Sequence, residues 1–339
     1  MPINRRKLLA GLGALLALVA LPARAADTPV RFILDWAFQG PQGIWALAAE
    51  RGCFAREGIA LTMDRGFGSG DSVAKVASGT YDIGFADFNT IIQFDGKNPD
   101  SRVVGFFMVY DNSPASVMAY KSSGIAKPAD FVGRQLAAPP GDASRLLFPI
   151  FAKANGVDPT KVTWINTSPE LRETLLVRKQ VDAISGHIFT SLMALRAAGV
   201  KDEELVIMRY PDYGADLYGS SLLAKSSWAD AHAKEVTGFA RCTAEGIRAV
   251  AADPAAALAA LKKRDPLLND KVEGDRLELA LDAAIMTPNV KANGFSHVAR
   301  DRLERTTAQA AQALDIPTPP LDTLWTDKFL PPQAELMVK

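Results

Sequence analysis

Short apolar segments alternate along most of the chain with segments in which apolar residues recur at helical spacing. The runs typical of β-strands cover residues 30–34, 59–64, 81–85, 103–109, 133–138, 162–166, 183–185 and 205–209. The helical patterns lie between them, at residues 43–57, 72–78, 89–94, 144–155, 170–178 and 189–198. Strands and helices that alternate at this pitch predict βαβ units and mainly parallel sheets, so we expect an α/β fold.

Two short, turn-rich segments, residues 111–115 and 213–219, are the best candidates for connections between two halves of the fold. Two crossings predict a discontinuous first lobe, residues 26–112 with 219–339, and a second lobe of residues 113–218. This layout leaves a cleft in which loops at the carboxyl ends of the strands face each other.

The last third of the chain has a different pattern. From residue 226 it is rich in alanine and helical in spacing, and the pattern is broken at Pro254, Pro266 and Pro288. A proline-rich tail begins at residue 316. Because proline removes a helix hydrogen bond, we expect several separate helices here.

The first 25 residues have the layout of an export signal. Basic residues at 5–7 precede an apolar run over residues 8–21, and Ala23-Arg24-Ala25 offers small side chains for cleavage after Ala25. The apolar run is shorter than the roughly 18–20 residues that span a bilayer. Paired arginines are compatible with the twin-arginine route, and ordinary Sec export remains the alternative.

Charge and cysteine content narrow the function classes. The chain has 38 Lys+Arg and 38 Asp+Glu, and the predicted signal holds four of the basic residues and no acid. The exported chain is therefore slightly acidic, which does not favour a nucleic-acid partner. The two cysteines, Cys53 and Cys242, lie in separate predicted helices, and a disulfide requires Cα atoms within about 7 Å. We expect two buried free thiols, with a disulfide as the alternative.

Two loops that lead from a predicted strand into a helix carry small residues. These loops, residues 66–72 and 139–144, present backbone N–H groups at a helix start, where a polar or anionic ligand group is favoured. Neither has the spacing of a Walker or dinucleotide motif. Their acidic residues are equally typical of helix caps. Ser69 and Ser144 are the candidate ligand contacts in these loops.

Other candidate contacts follow predicted strands or lie in the second crossing. Trp36 can stack on a planar ligand, and Gln39 and Gln42 can form hydrogen bonds with it, although aromatic residues here can also fill the core. The remaining candidates, each of which also has a capping, core or surface interpretation, are Asp87, Asn89, His187, Asp216 and Tyr218.

The chemistry-bearing residues favour binding over catalysis. The three histidines, His187, His232 and His297, have no metal-ligand spacing, and no Gly-x-Ser-x-Gly motif occurs. We therefore expect neither a metal nor a cofactor, and no enzymatic activity.

Several motifs resemble those of the solute-binding proteins of ABC importers for nitrate, sulfonates, taurine and thiamine-pyrimidine precursors. They include Leu-Asp-Trp at 34–36, Gly-Cys-Phe at 52–54, Ala-Ser-Gly-Thr-Tyr-Asp-Ile-Gly at 77–84 and Ser-Ser-Gly-Ile at 122–125. The resemblance covers nearly the whole chain after the signal. It implies a two-lobed periplasmic-binding-protein fold of type II, a periplasmic location, a monomer, a small-molecule ligand, and permease and ATPase partners.

The Leu-Asp-Trp element is most similar to the branch that binds thiamine-precursor pyrimidines. The Asn-Pro and His that follow in that branch are replaced here by residues 37–42, Ala-Phe-Gln-Gly-Pro-Gln. The resemblance implies a pyrimidine or similar heterocycle, with a sulfonate, taurine or nitrate as one alternative. The other alternative is an exported enzyme of the pyrimidine-synthase type, whose cysteine cluster is not found here.

Charge in the candidate loops also bears on the ligand. Four acids, Asp71, Asp87, Asp142 and Asp216, outnumber two candidate arginines, Arg65 and Arg145. Since a carboxylate repels an anion strongly in a poorly hydrated cleft, we expect a neutral or cationic ligand.

Overall fold

The computed structural model describes residues 26–338 of the chain. Within this range, ten strands form two five-stranded sheets. The strands are β1 (Thr28–Ile33), β2 (Ile59–Asp64), β3 (Ile83–Asp87), β4 (Val103–Met108), β5 (Ala115–Tyr120), β6 (Gln135–Ala138), β7 (Thr163–Asn166), β8 (Ala183–His187), β9 (Leu205–Arg209) and β10 (Ser220–Lys225). The predicted export signal lies outside the described residues.

The two sheets repeat one topology. The first has the strand order β2-β1-β3-β10-β4 and the second the order β7-β6-β8-β5-β9. In the first sheet β10 pairs antiparallel with β3 and β4, and in the second β5 pairs antiparallel with β8 and β9, whereas the other described pairings are parallel. The α/β fold is confirmed. Four of the eight described pairings are parallel and four are antiparallel, so both sheets are mixed and the expectation of mainly parallel sheets is wrong, because each crossing inserts one antiparallel strand between parallel neighbours.

The chain passes between the two sheets twice. The β4–β5 connection covers residues 109–114, and the β9–β10 connection covers residues 210–219. Each therefore overlaps one of the two predicted crossing segments. The first strand after each crossing pairs antiparallel in the sheet that it enters. The first sheet therefore combines β1 to β4 with β10, which follows the strands of the second sheet along the chain.

Helices cover the faces of both sheets. They are α1 (Gly43–Glu50), α2 (Cys53–Arg56), α3 (Ser69–Ala77), α4 (Phe88–Lys97), α5 (Ala143–Ala154), α6 (Arg172–Val177), α7 (Ile188–Ala197), α8 (Ser226–Ala231), α9 (Ala233–Ala252), α10 (Pro254–Lys262), α11 (Asp270–Ala280), α12 (Pro288–Asn293), α13 (Arg300–Leu314), α14 (Leu321–Leu324) and α15 (Gln333–Leu336). The helix predicted over residues 43–57 is two helices, because Gly52 adopts a φ of 71° between them. Pro254 and Pro288 each begin a helix, as proline does where no N–H partner is needed.

The first sheet packs on α1 and α9 through an aromatic core. Trp45 in α1 contacts Phe32 of β1 and Phe85 of β3, with ring centroids 5.2 and 4.7 Å apart. Its indole Nε1 donates a hydrogen bond of 3.0 Å to Thr243 Oγ1 in α9. Because the indole is fully buried, this bond satisfies a donor that would otherwise be costly to bury.

A disulfide joins the same layer. Cys53 in α2 is bonded to Cys242 in α9, with Cα atoms 5.7 Å apart. The expectation of two free thiols is wrong. The two cysteines are 189 residues apart in sequence, so only the packing of α9 along α1 and α2 brings them together.

The C-terminal helices contact both halves of the protein. Helix α13 packs against α4 beside the first sheet and α5 beside the second, and α11 packs against α7. Among residues 26–338, no helix is both long and apolar enough to cross a bilayer.

Candidate ligand-binding site

A small cavity lies between the two sheets, where the carboxyl ends of their parallel strands face each other. Its volume is about 20 Å³, which is room for about one water molecule. A larger molecule therefore requires the two halves to separate. The cavity is lined by Asp35, Trp36, Gln42, Gly68, Ser69, Asp142, Ala143, Arg172, His187, Phe189 and Thr190.

Direct contacts between the two halves surround this cavity. The Gly70 N–H donates to the carbonyl of Gly141 at 3.1 Å, and Thr190 Oγ1 donates to Gln39 Oε1 at 3.0 Å. Gly68 has a φ of 127°, and a Cβ there would lie 2.4 Å from the Gly141 carbonyl oxygen. The glycine-rich loop therefore allows the two backbones to meet, and the structure has a closed cleft.

Asp35 follows β1 and is almost fully buried at the cavity, with 4% of its surface exposed. Its Oδ1 accepts one side-chain hydrogen bond, 3.3 Å long, from Gln42 Nε2. Burial raises the pKa of this carboxyl to about 7, and the nearby charges of Asp87 and Asp142 act in the same direction. Burial disfavours the charged form of an acid, so both the protonated and the ionised form of this carboxyl are populated close to neutral pH.

Asp87 ends β3 directly behind Ser69. Its Oδ1 accepts hydrogen bonds from the backbone N–H of Asn89 at 2.9 Å and from Asn89 Nδ2 at 3.0 Å, so it caps α4. Its own backbone N–H donates to Ser69 Oγ at 3.0 Å. Burial raises the pKa of Asp87 to about 7. Asp87 Oδ2 is buried and has no hydrogen-bond partner among residues 26–338.

Asp142 and Arg172 form a buried ion pair on the opposite wall. Arg172 Nη1 lies 2.9 Å from Asp142 Oδ2, and Nη2 lies 2.7 Å from Glu173 Oε1. The guanidinium carbon is 5.0 Å from the centre of the Trp36 ring, a cation–π contact across the cleft. A Cβ on Gly186 would lie 2.8 Å from that carbon, so glycine leaves room for the arginine. The charge of Arg172 is thus already balanced by two carboxylates.

His187 ends β8 and lies beside Arg172. Burial lowers the pKa of its imidazole to about 3, and the positive charge of Arg172 acts in the same direction. The ring is therefore neutral over the physiological range. Although the residue is only partly buried as a whole, its Nε2 atom is enclosed and finds no partner in the described part of the chain.

The structure brings together four of the ten candidate contacts as cavity-lining residues: Trp36, Gln42, Ser69 and His187. Gln39 forms the hydrogen bond with Thr190 that spans the cleft. Three others, Asp87, Asn89 and Ser144, are fully buried but do not line the cavity.

The last two candidates belong to the second crossing segment. The Asp216 carboxylate is exposed and lies 3.0 Å from Arg302 Nη2, outside the cavity. Tyr218 is buried, and its hydroxyl accepts a hydrogen bond of 2.9 Å from the backbone N–H of Ala299. Neither side chain lines the cavity.

The two arginines considered from sequence do not line the cavity. Arg65 lies 3.1 Å from Glu170 at the cleft rim. Arg145 donates to Asn166 Oδ1 at 2.8 Å and lies over the Trp164 ring. Among the acids, Asp142 both caps α5 and faces the cavity, whereas Asp71 pairs with Lys75 at 2.7 Å.

Sequence reasoning missed Asp35, Arg172, Phe189 and Thr190 as individual site residues. Their position along the chain could have identified them, because each of the four residues follows the carboxyl end of a strand or lies one loop beyond it. For Arg172 that strand is β7, whose following loop carries no glycine-rich or aromatic motif. Within residues 26–338, no cluster of three potential metal ligands occurs.

Two topologically matched sheets, two crossings and a cleft between them define the type II periplasmic-binding-protein fold. A solved structure from Bordetella bronchiseptica RB50 shares it at 17% identity and a TM-score of 0.71, over 89% of this chain and 95% of that one. The alkanesulfonate-binding protein of Xanthomonas axonopodis pv. citri bound to MOPS matches at 17% identity and a TM-score of 0.68, over 89% and 99%. The periplasmic nitrate-binding protein of Synechocystis PCC 6803 matches at 10% identity and 0.64, over 90% and 87%.

Sequence comparison identifies the family. Residues 43–257 match the family model described as NMT1/THI5-like, and the chain belongs to that family. No curated protein sequence matches it significantly.

Proposed function

We propose that this chain is the periplasmic solute-binding component of an ABC importer. The observation that carries the proposal is a polar cavity between two lobes that contact each other directly around it. Closure over a small molecule would bury it against both lobes, and the closed form would then be presented to permease and ATPase subunits. A ligand favours closure only if it binds the closed form more tightly than the open one.

The ligand class supported by the residues is a small polar heterocycle, such as a thiamine-precursor pyrimidine. The Trp36 ring supplies an aromatic surface at the cavity, and Gln42, Ser69 and His187 supply hydrogen-bonding atoms around it. Aromatic and amide groups of this kind suit a planar molecule with polar edges.

A second candidate is an anion, since the named relatives include sulfonate- and nitrate-binding proteins. Arg172 at the cavity is the observation that favours it. However, Asp142 and Glu173 already neutralise that arginine, and Asp35 is a further buried acid. An added anion would therefore meet more negative than positive charge, which favours the heterocycle.

Identification of the bound molecule tests this function. Protein exported to a native periplasm is purified and denatured, and the released small molecules are identified by mass spectrometry. The identified compound is then added back to ligand-free protein, where it should raise the unfolding temperature and reduce the radius of gyration in X-ray scattering.

A matched pair of variants makes the test specific to the cavity. Trp36→Ala should lose retention of the compound. Trp228→Ala should keep it, because Trp228 lies in α8 and stacks on His232, and α8 follows the end of β10 that is opposite to the cavity. Protein that carries no compound and shows no compaction with any metabolite fraction would contradict solute binding.

A further inference from the structure

The strongest unexplained feature of the cavity is a buried acceptor that receives no hydrogen bond. Gln42 is 2% exposed and lines the cavity. Its Nε2 donates to Asp35, which orients the amide, and its Oε1 has no partner within the described chain. A buried acceptor that is left unpaired destabilises the protein, so a donor from a ligand or water fits here.

Asp35 beside it is a buried carboxyl with no positive partner. No described Lys, Arg or His lies within salt-bridge distance of it. The charged or titratable groups that influence it or line the same cavity are Asp87 at the end of β3, Asp142 at the start of α5, Arg172 in α6, His187 at the end of β8, and Tyr110 in the first crossing.

These neighbours leave an excess of negative charge at the cavity. Arg172 is committed to Asp142 and Glu173, and His187 is neutral because burial lowers its pKa to about 3. Hydrogen bonds from Asn89 at the start of α4 partly offset the burial of Asp87, whereas Asp35 accepts a single side-chain hydrogen bond, 3.3 Å long. A proton or a bound cation would stabilise the buried Asp35 carboxyl further.

We propose that the ligand presents a protonated nitrogen with at least two N–H bonds, as in an amidinium, guanidinium or ammonium group, to the Asp35 carboxylate and Gln42 Oε1. This inference rests on the proposed solute-binding function and specifies the ligand's chemistry. Binding displaces the proton of the Asp35 carboxyl to solvent, so the ligand cation takes the place of that proton. The Gln42 amide fixes the orientation of the donor group by accepting its second N–H.

The test uses four defined probes with the exported form of the protein: acetamidinium, guanidinium, methylammonium and 4-aminopyrimidine. Thermal unfolding is measured with each, and with taurine and nitrate as anionic comparators. We expect at least one of the three cations, acetamidinium, guanidinium and methylammonium, to raise the unfolding temperature and neither anion to do so. Stabilisation by the anions alone, or no response to any of the three cations, overturns the proposal.

Proton displacement supplies an independent readout. The affinity of the responding probe should fall about tenfold for each pH unit below the pKa of Asp35, which burial raises to about 7, because the proton then competes for the carboxylate. Calorimetry near neutral pH in two buffers of different ionisation enthalpy should detect proton release. Equal affinity across this range with no proton release would contradict binding at Asp35.

Two variants separate this proposal from the function on which it rests. Asp35→Asn, which preserves shape and removes the charge, should weaken the probe at least tenfold, as expected when a hydrogen bond to a charged group is lost. Asp100→Asn removes an exposed carboxylate before β4 and should change nothing. If native protein releases an anion that Asp35→Asn still binds, the charge proposal fails and solute binding stands. If no small molecule binds at all, both fail.

Discussion

Replacement of Asp35 by asparagine should stabilise the ligand-free protein, and the gain should depend on pH. In the folded state burial raises the pKa of Asp35 to about 7, above the ordinary value of 3.8. The folded protein therefore binds more protons than the unfolded chain between these two values. Stability linked to this group is highest below pH 3.8, falls as the pH rises, and reaches its full loss above pH 7.

The magnitude follows from the difference between the two pKa values. About three pKa units at 1.36 kcal/mol each give roughly 4 kcal/mol of lost stability at pH 8. At pH 5 the folded carboxyl is still protonated while the unfolded one is ionised, and the same arithmetic gives about 2 kcal/mol. Asparagine cannot ionise and keeps the polar group beside Gln42, so Asp35→Asn should recover most of both amounts.

Urea unfolding at pH 5 and pH 8 measures this difference, with Asp100→Asn as the matched control. Asp100 is exposed, and its replacement should leave stability unchanged at both pH values. A gain for Asp35→Asn that is the same at both pH values would show that ionisation is not its cause. A loss of stability at pH 8 would show that Asp35 is stabilised as an anion, and the reasoning would be refuted.

Four further outcomes are expected. Trp36→Ala should weaken ligand binding by roughly 1–3 kcal/mol, measured by calorimetry, because one aromatic partner is removed; unchanged affinity would exclude it from the site. Reduction of the Cys53–Cys242 bond, which closes a separation of 189 residues, should cost about 5 kcal/mol in urea unfolding by the chain-entropy relation; equal stability with and without reductant would contradict this. Arg302 contacts Asn112 in one crossing and Asp216 in the other, each at 3.0 Å, and so links the two connections between the lobes. Arg302→Leu should therefore increase the radius of gyration of the ligand-free protein, and unchanged X-ray scattering would contradict a role of Arg302 in holding the crossings together. Terminal sequencing of exported protein should begin at Ala26, and an intact Met1 would refute cleavage.

Local pattern was sufficient for most strands and helices. β2 and β9 have the predicted bounds, and the other predicted strands differ by one or two residues at one or both ends. The spacing of apolar residues predicts these strands and helices because each of them packs against its neighbours in the same βαβ unit. Two strands, β5 and β10, had no predicted bounds, and each is the strand that pairs antiparallel after a crossing. Their partners are distant in sequence, so local pattern carries little information about them.

The site was predictable to the extent that it follows from strand ends. That rule placed Trp36 and Gln42 after β1, Ser69 after β2 and His187 at the end of β8. It gave no residue after β7, where Arg172 enters the cavity from a loop without a motif. The arginine is held by Asp142, which is 30 residues away, and by the space at Gly186. Both constraints come from tertiary packing, as does the disulfide.

The carboxyl at position 35 is difficult to explain by stability alone. Asparagine in its place would offer a carbonyl oxygen to Gln42 Nε2 and an amide N–H2 to Gln42 Oε1 or the cavity, and would avoid the cost of ionisation at neutral pH. Buried Asp87 differs, because its two hydrogen bonds with Asn89 cap α4. The Asp35 carboxyl lowers the stability of the ligand-free protein and caps no helix. Its presence is explained if a positively charged ligand stabilises the ionised carboxyl when it binds. A variant at position 35 that is more stable without ligand and binds a cation more weakly would show that the acid serves recognition. A variant that is more stable but binds equally well would show that the acid has no role in recognition.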